Sequence, residues 1–190
     1  MLKIRYSAII DHSQSSVLSP FGLQTPYGSC INIIGAKTSK VIEIHTGQTA
    51  FVMNVREGEL QVEFVFDDAP SDYPEKIFQP RQTKYTRYAD DLVSEIHSVV
   101  GDLTGYALLK RIAGHVAERF TYGHPETPFN HSTDIIPAIG CGMVEGSCVD
   151  INIYFLAALR SVGIEAGYIT GFFFPEEKKN RCDDGHCWVV

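Results

Sequence analysis

Three features that would each point to a class of protein are missing from this sequence. No apolar run is long enough to span a lipid bilayer. Positive charge is not in excess, since the formal net charge is −7, and this balance does not favour a nucleic-acid binder. Residues 1–6 lack the apolar stretch and small-residue cleavage site of a signal peptide. We therefore expect a cytoplasmic protein that binds neither membranes nor nucleic acids.

The cysteines lack the patterns of a disulfide framework or of a zinc finger. They are Cys30, Cys141, Cys148, Cys182 and Cys187. Their number is odd and no secretion signal precedes them, so a disulfide-stabilised fold is not favoured. No Cys-x-x-Cys pair occurs, and His186 and Cys187 are adjacent on a predicted strand, which turns their side chains to opposite faces. We expect no metal and no cofactor, with a zinc-stabilised domain as the weakest alternative.

The first third of the chain has the composition and periodicity of β structure. Apolar or alternating runs occur at 2–6, 41–45, 50–55 and 60–66. In the last run Val62, Phe64 and Phe66 share one face, as in a half-buried strand. Turn-forming residues separate the runs. This pattern predicts an N-terminal β domain at residues 1–75, built as an antiparallel β-sandwich.

The pattern changes to a helical period after a segment rich in Asp and Pro. Residues 67–81 are predicted to form a linker. Two helices are predicted next, at 90–100 and at about 105–120. The second helix has an apolar stripe at every fourth position, formed by Leu108, Ile112, Val116 and Phe120. We place a second domain at residues 82–190.

A third predicted helix begins at a cysteine. Ser147 and Asp150 have the spacing of a capping box, which makes Cys148 the first helical residue. The following residues, 151–159, are apolar nearly all round, so this helix is predicted to be buried. Gly163 stands where a helix C-cap is expected.

Two neighbouring strands are predicted after this helix, at 168–174 and 186–190. The charged residues between them, 175–185, are predicted to form a loop. The whole pattern predicts an α+β fold, in which an N-terminal sandwich precedes a unit with a buried helix and two neighbouring strands.

Cys148 and His186 are the candidate catalytic residues. Free N–H groups and the dipole at a helix start favour a thiolate over a thiol, and a nearby imidazole acts as a base and then as a general acid. The backbone N–H of Cys148 is also available to an oxyanion. A buried, inert cysteine and an ordinary strand histidine are the alternative interpretation.

These residues lie in motifs that resemble those of the bacterial transglutaminase-like superfamily, whose members are often described as cysteine proteases. Gly-Ser-Cys-Val-Asp at 146–150 is similar to the family's Gly-x-Cys-x-Asp helix start. Leu-Arg-x-x-Gly-Ile at 159–164 and His-Cys-Trp-Val at 186–189 are similar to its next two motifs, in the same order. Thr-Arg-Tyr at 86–88 and Phe-Thr-Tyr at 120–122 are similar to its upstream motifs.

The resemblance implies a papain/transglutaminase-like core, with a central helix packed on an antiparallel sheet. It also implies a papain-like mechanism on a peptide or protein substrate, with Cys148 as nucleophile and His186 as base. Amide hydrolysis and acyl transfer both pass through a thioester, and the residues do not separate them. Cys187 departs from the family pattern, which usually has Ala there, as do Glu165 and Gly167. The oligomeric state is left open.

The resemblance also implies an Asp on the strand after the one that carries His186. Since that strand would follow Val190, we expect a core that is C-terminally incomplete. Asp183 and Asp184 are too close in sequence to His186 to replace that Asp readily. A non-catalytic binding module on the same fold is the second functional interpretation. Tyr122, His124 and His131 are weaker candidates for the lining of a cleft.

Overall fold

The computed structural model combines helices with antiparallel sheets, which confirms the α+β class. The chain divides into two compact units, Met1–Ile77 and Phe78–Val190. The residues that the structure describes are 2–10, 16–21, 30–44, 49–66, 73, 75–79, 83–182 and 185–190. None of the helices in these ranges is long and apolar enough to cross a lipid bilayer.

The N-terminal unit contains two three-stranded antiparallel sheets. Its strands are β1 (Leu2–Ile10), β2 (Val17–Phe21), β3 (Cys30–Ile34), β4 (Ala36–Ile42), β5 (Thr49–Val55) and β6 (Gly58–Phe66). One sheet has the order β1-β6-β3 and the other the order β2-β5-β4. Strand β6 is central to the first sheet, where it pairs with β1 from Leu2↔Phe66 to Ile10↔Gly58.

Alternation along β6 accounts for the core of this unit. Leu60, Val62 and Phe64 are buried, whereas the residues between them are more exposed. The predicted face of this strand is therefore confirmed at Val62 and Phe64, and it also includes Leu60. Met53 and Val55 of β5 are the other buried apolar residues described in the strands of this unit.

Two strands were not predicted, and one was predicted out of place. Strands β2 and β3 are short and lie among Gly, Pro and Ser residues that read as turns. Of the run predicted at 41–45, only Val41 and Ile42 belong to β4; Glu43 and Ile44 follow the strand, and His45 lies outside the described residues. Most of the predicted linker, 67–81, also lies outside them, although a 3₁₀ turn at Glu75–Ile77 is described.

The second unit is built around one buried helix. Its elements are α1 (Asp90–Val100), α2 (Gly105–Ala117), β7 (Phe120–Tyr122), β8 (Val144–Gly146), α3 (Cys148–Ser161), β9 (Tyr168–Phe172) and β10 (Gly185–Val189). Helix α3 contacts α1, α2 and β10. Its residues Tyr154, Leu156, Ala157, Ala158 and Leu159 are all buried in one apolar core. The predicted buried helix is confirmed.

The start and end of α3 follow the sequence signals, but α2 ends earlier than predicted. Gly163 has φ +80 and its N–H donates to the carbonyl of Arg160, so the predicted C-cap is confirmed. Helix α2 ends at Ala117, and Phe120 belongs to β7, where it pairs with Val144. Phe120 is buried like the helical stripe, which is why its spacing suggested one continuous helix.

Candidate active site

A capping box fixes the start of α3 at Cys148. The hydroxyl and the backbone N–H of Ser147 donate to Asp150 Oδ2 at 2.7 and 2.8 Å, and the N–H of Asp150 reaches Ser147 Oγ at 3.4 Å. Asp150 is only 5% exposed, so its carboxylate is held in place by this turn. The predicted cap is confirmed, and it places the half-buried Cys148 in the first helical turn.

The segment that leads into this turn is held by a parallel strand pair. Strands β7 and β8 pair from Phe120↔Val144 to Tyr122↔Gly146. A Cβ added to Gly146 would lie 2.7 Å from the Phe120 ring and 3.0 Å from Asp150 Cβ. Only a glycine therefore lets the Phe120 ring pack against the backbone just before the helix.

Asn152 connects Cys148 to strand β10. Residues four apart lie on the same face of a helix, so Asn152 stands one turn below Cys148. Its amide Nδ2 donates to the Cys148 carbonyl at 2.9 Å and to the Cys187 carbonyl at 3.1 Å. The same nitrogen lies 3.8 Å from Cys187 Sγ. One side chain thus fixes the first turn of α3 against the middle of β10.

Cys187 is the residue of β10 whose side chain faces Cys148. It is only 2% exposed, and its thiol interacts with the thiol of Cys148 and with the hydroxyl of Tyr168 on β9. The pKa of Cys187 is raised to about 11: burial is the main cause, Tyr168 opposes the shift, and Cys148 adds to it. Burial, followed by the contact with Cys187, also raises the pKa of Tyr168.

His186 lies on the opposite face of β10. Antiparallel pairing sets His186 across from Gly171 and Cys187 across from Thr170, and successive strand side chains alternate between faces. The His186 ring packs 5.5 Å from the Phe173 ring and 6.4 Å from the Trp188 ring. No hydrogen bond joins His186 to Cys148 within the described parts of the chain, so their pairing stays a prediction.

Of the other residues singled out in the sequence, Tyr122 pairs with Gly146 and so lies near the start of α3. The Tyr122 and His124 rings pack against each other at 5.5 Å and both are exposed, as is His131. Cys141 is exposed and Cys182 is partly buried. Asp183 and Asp184 are outside the described residues.

Three residues of the site were missed: Asn152, Tyr168 and Cys187. The helical period already puts Asn152 on the face of Cys148. Cys187 adjoins His186 in the motif, and alternation along a strand allows only one of the two side chains to face the helix.

The described residues contain no group of three or more His, Cys, Asp or Glu side chains placed to hold a metal ion. The arrangement around Cys148 is therefore one of a thiol, a second thiol, an amide and a phenol. A thiol at a helix start is the kind of group that can serve as a sulfur nucleophile.

A comparison with protein families assigns the second unit. The model of the transglutaminase-like superfamily matches residues 90–190, which is more than half of the chain and includes every residue of the site described above. The chain belongs to this superfamily, as the motifs predicted. Searches among curated proteins and among solved structures found no match.

Proposed function

We propose that this protein is a cysteine-dependent hydrolase or acyltransferase that forms a thioester on Cys148. The observation that carries the proposal is the position of Cys148, the first residue of a capped helix in a transglutaminase-like domain. A helix N-terminus favours the thiolate, and its free N–H groups donate hydrogen bonds to an oxyanion. The substrate class that fits this chemistry is a peptide or protein amide.

The proposed reaction has two steps. The thiolate of Cys148 attacks the carbonyl carbon of an amide, which gives a tetrahedral intermediate whose oxyanion lies near the backbone N–H of Cys148. The C–N bond then breaks, the amine leaves with a proton from a general acid, and a thioester remains. Water or a second amine attacks the thioester, which releases the acyl group and regenerates the thiol.

We propose His186 as the acid and base of both steps. Its support is the His-Cys-Trp-Val motif and its place on β10, the strand that packs on α3. Since Cys187 occupies the face of β10 toward Cys148, this role requires the His186 ring to reach the start of α3 from the strand's other face.

A non-catalytic binding module on the same fold is the second candidate. It is favoured by one observation, the contact of Cys148 with Cys187 instead of an imidazole. Under this interpretation, replacing Cys148 by Ser removes no reaction and leaves the affinity for a partner unchanged.

Two finer features of the prediction belong to the same proposal. We propose that the two N-terminal sheets form a β-sandwich at residues 1–75 and that the papain-like core occupies 82–190. We also propose a cytoplasmic location, which the absence of a disulfide at Cys141, Cys148 and Cys187 supports.

An activated ester tests the proposal without knowledge of the natural substrate. Reduced full-length protein is mixed with p-nitrophenyl acetate, and release of nitrophenol and the intact mass are followed together. We expect an initial burst and an acetyl group on Cys148, which Cys148→Ser abolishes and the matched Cys141→Ser variant retains. Equal acetylation of Cys141 and Cys148, with no burst, would contradict the nucleophile and favour the binding module.

A further inference from the structure

We propose that Cys148 and Cys187 form a reversible disulfide, with Cys148 as the thiol that a hydroperoxide attacks and Cys187 as the thiol that resolves the oxidised product. The site would thus be a redox-modified pair as well as a place for acyl transfer. The bond itself needs only the two thiols, whereas its effect on acyl transfer rests on the proposed function.

The first argument is that the backbones of the two cysteines are already fixed against each other. The Asn152 amide donates to the carbonyl oxygens of both, at 2.9 and 3.1 Å. Cys148 shares its helix face with Asn152, and Cys187 Sγ lies 3.8 Å from the same amide nitrogen. The thiols of Cys148 and Cys187 are themselves within hydrogen-bonding reach of each other, so bond formation needs side-chain rotation and no large backbone movement.

The second argument concerns access, which differs between the two thiols. Cys148 is half-buried at the helix start, whereas Cys187 is only 2% exposed and lies under Tyr168 and Asn152. A small peroxide in solution reaches Cys148, and a helix N-terminus favours the thiolate that such an oxidant needs. Cys187 is shielded from direct oxidation but stands next to the product.

The proposed chemistry is a two-electron oxidation in two steps. The Cys148 thiolate attacks one oxygen of the hydroperoxide, the O–O bond breaks, and a sulfenic acid forms while water or an alcohol leaves. The sulfur of Cys187 then attacks the sulfenic sulfur, the S–O bond breaks, and water leaves as the S–S bond forms. A small dithiol reverses the bond by thiol–disulfide exchange.

Two consequences follow for Cys148. The disulfide removes the free thiol that acyl transfer needs, so activity stops until a reductant is present. It also consumes the sulfenic acid before a second peroxide converts it to sulfinic or sulfonic acid, which are not reversed by thiols.

Peptide mapping of the full-length chain tests this inference. Reduced protein is treated with hydrogen peroxide, blocked with iodoacetamide and digested without reduction by a protease that cuts after Glu and Asp. Trypsin is unsuitable because it leaves Cys141 and Cys148 in one peptide, and Cys182 and Cys187 in another. Cleavage after Glu145 and after Asp184 places the two cysteines of each pair in different peptides. The variants Cys187→Ala and the nearly isosteric Cys187→Ser are compared with Cys141→Ser, after circular dichroism has shown that each is folded.

We expect a peptide that joins Cys148 to Cys187 in the wild type and in Cys141→Ser. Labelling of Cys148 by iodoacetamide should fall by at least about tenfold after peroxide and return after dithiothreitol. In both Cys187 variants the linked peptide should be absent and Cys148 should reach the sulfinic or sulfonic state, so that labelling does not return.

The inference is overturned if peroxide produces no such peptide, if the linked peptides join other cysteines, or if Cys148 becomes irreversibly oxidised equally fast with and without Cys187. This readout uses no turnover. If the linked peptide forms but no acetylation burst is seen, the proposed function is rejected and the disulfide is retained. If a burst is seen but no linked peptide forms, the disulfide is rejected and the proposed function is retained.

Discussion

At the scale of single residues, the site depends on which side chain of β10 meets Cys148. Cys187 and Tyr168 lie on the face toward α3, and Asn152 bonds to both cysteine carbonyls. His186 lies on the other face, beside Phe173 and Trp188. Whether the His186 imidazole acts as the base for Cys148 can therefore be tested by replacing it.

His186→Gln tests that role. If the imidazole takes and returns the proton, the variant should acetylate Cys148 about 10²–10⁴-fold more slowly than the wild type while remaining equally stable. The rate is measured with p-nitrophenyl acetate in a single turnover, and thermal unfolding gives the stability. Phe173→Leu, which removes a ring that contacts His186 but keeps the imidazole, serves as the control. An unchanged rate in His186→Gln would show that His186 is not the base.

The sequence could predict Cys148 at a helix start but not its neighbour across the site. The capping box is a contact between residues three apart, so Ser147 and Asp150 reveal it without any knowledge of the fold. The face that β10 turns toward α3 depends on pairing with β9 and on packing, which are long-range properties. Alternation shows that His186 and Cys187 point apart, yet it leaves open which of them points inward.

At the scale of elements, strand β8 and the capping turn that follows it position the start of α3. Strand β8 ends at Gly146, where the Phe120 ring covers the backbone, and the capping turn follows directly. The sequence predicted the bounds of α1 and both ends of α3, because caps and apolar periodicity are local signals. It missed the end of α2, since Phe120 continues the apolar spacing of the helix from within β7.

Gly146→Ala tests the packing of the segment before α3. The new methyl group would lie 2.7 Å from the Phe120 ring and 3.0 Å from Asp150 Cβ, so we expect a loss of about 1–3 kcal/mol in the free energy of unfolding. Urea denaturation measures it. Gly114→Ala is the matched control, because a Cβ added at Gly114 in α2 meets no neighbouring group within 4 Å. Since Ala favours a helix more than Gly does, this variant should raise the free energy of unfolding by about 0.5–1 kcal/mol. Equal effects at the two positions would contradict the packing described here.

At the scale of the whole molecule, the two compact units have separate sets of buried residues. The apolar core around α3 is formed by residues of the second unit, whereas Leu60, Val62 and Phe64 are buried in the first. The composition predicted this change from β to mixed structure near residue 75, because the apolar period shifts from two to about four residues there. The short strands β2 and β3 escaped prediction, because each is only five residues long and lies among turn-forming residues.

Leu60→Ala tests whether the first unit influences the site. Leu60 is only 2% exposed, so its truncation should cost about 2–5 kcal/mol in the unit that contains it. Hydrogen exchange should quicken in the described strands of that unit, while the rate at which iodoacetamide labels Cys148 stays unchanged. Leu156→Ala, equally buried but in α3, should alter that labelling rate. Equal changes in labelling for the two variants would contradict separate cores.

The rate at which iodoacetamide labels Cys148 relative to Cys141, in the same reduced chain at about pH 6 to 7, tests the nucleophile most directly. Cys141 is the more exposed of the two thiols, so access alone favours it. An activated sulfur at the start of α3 predicts faster labelling of Cys148 despite its partial burial. Labelling of Cys148 no faster than that of Cys141 would contradict it.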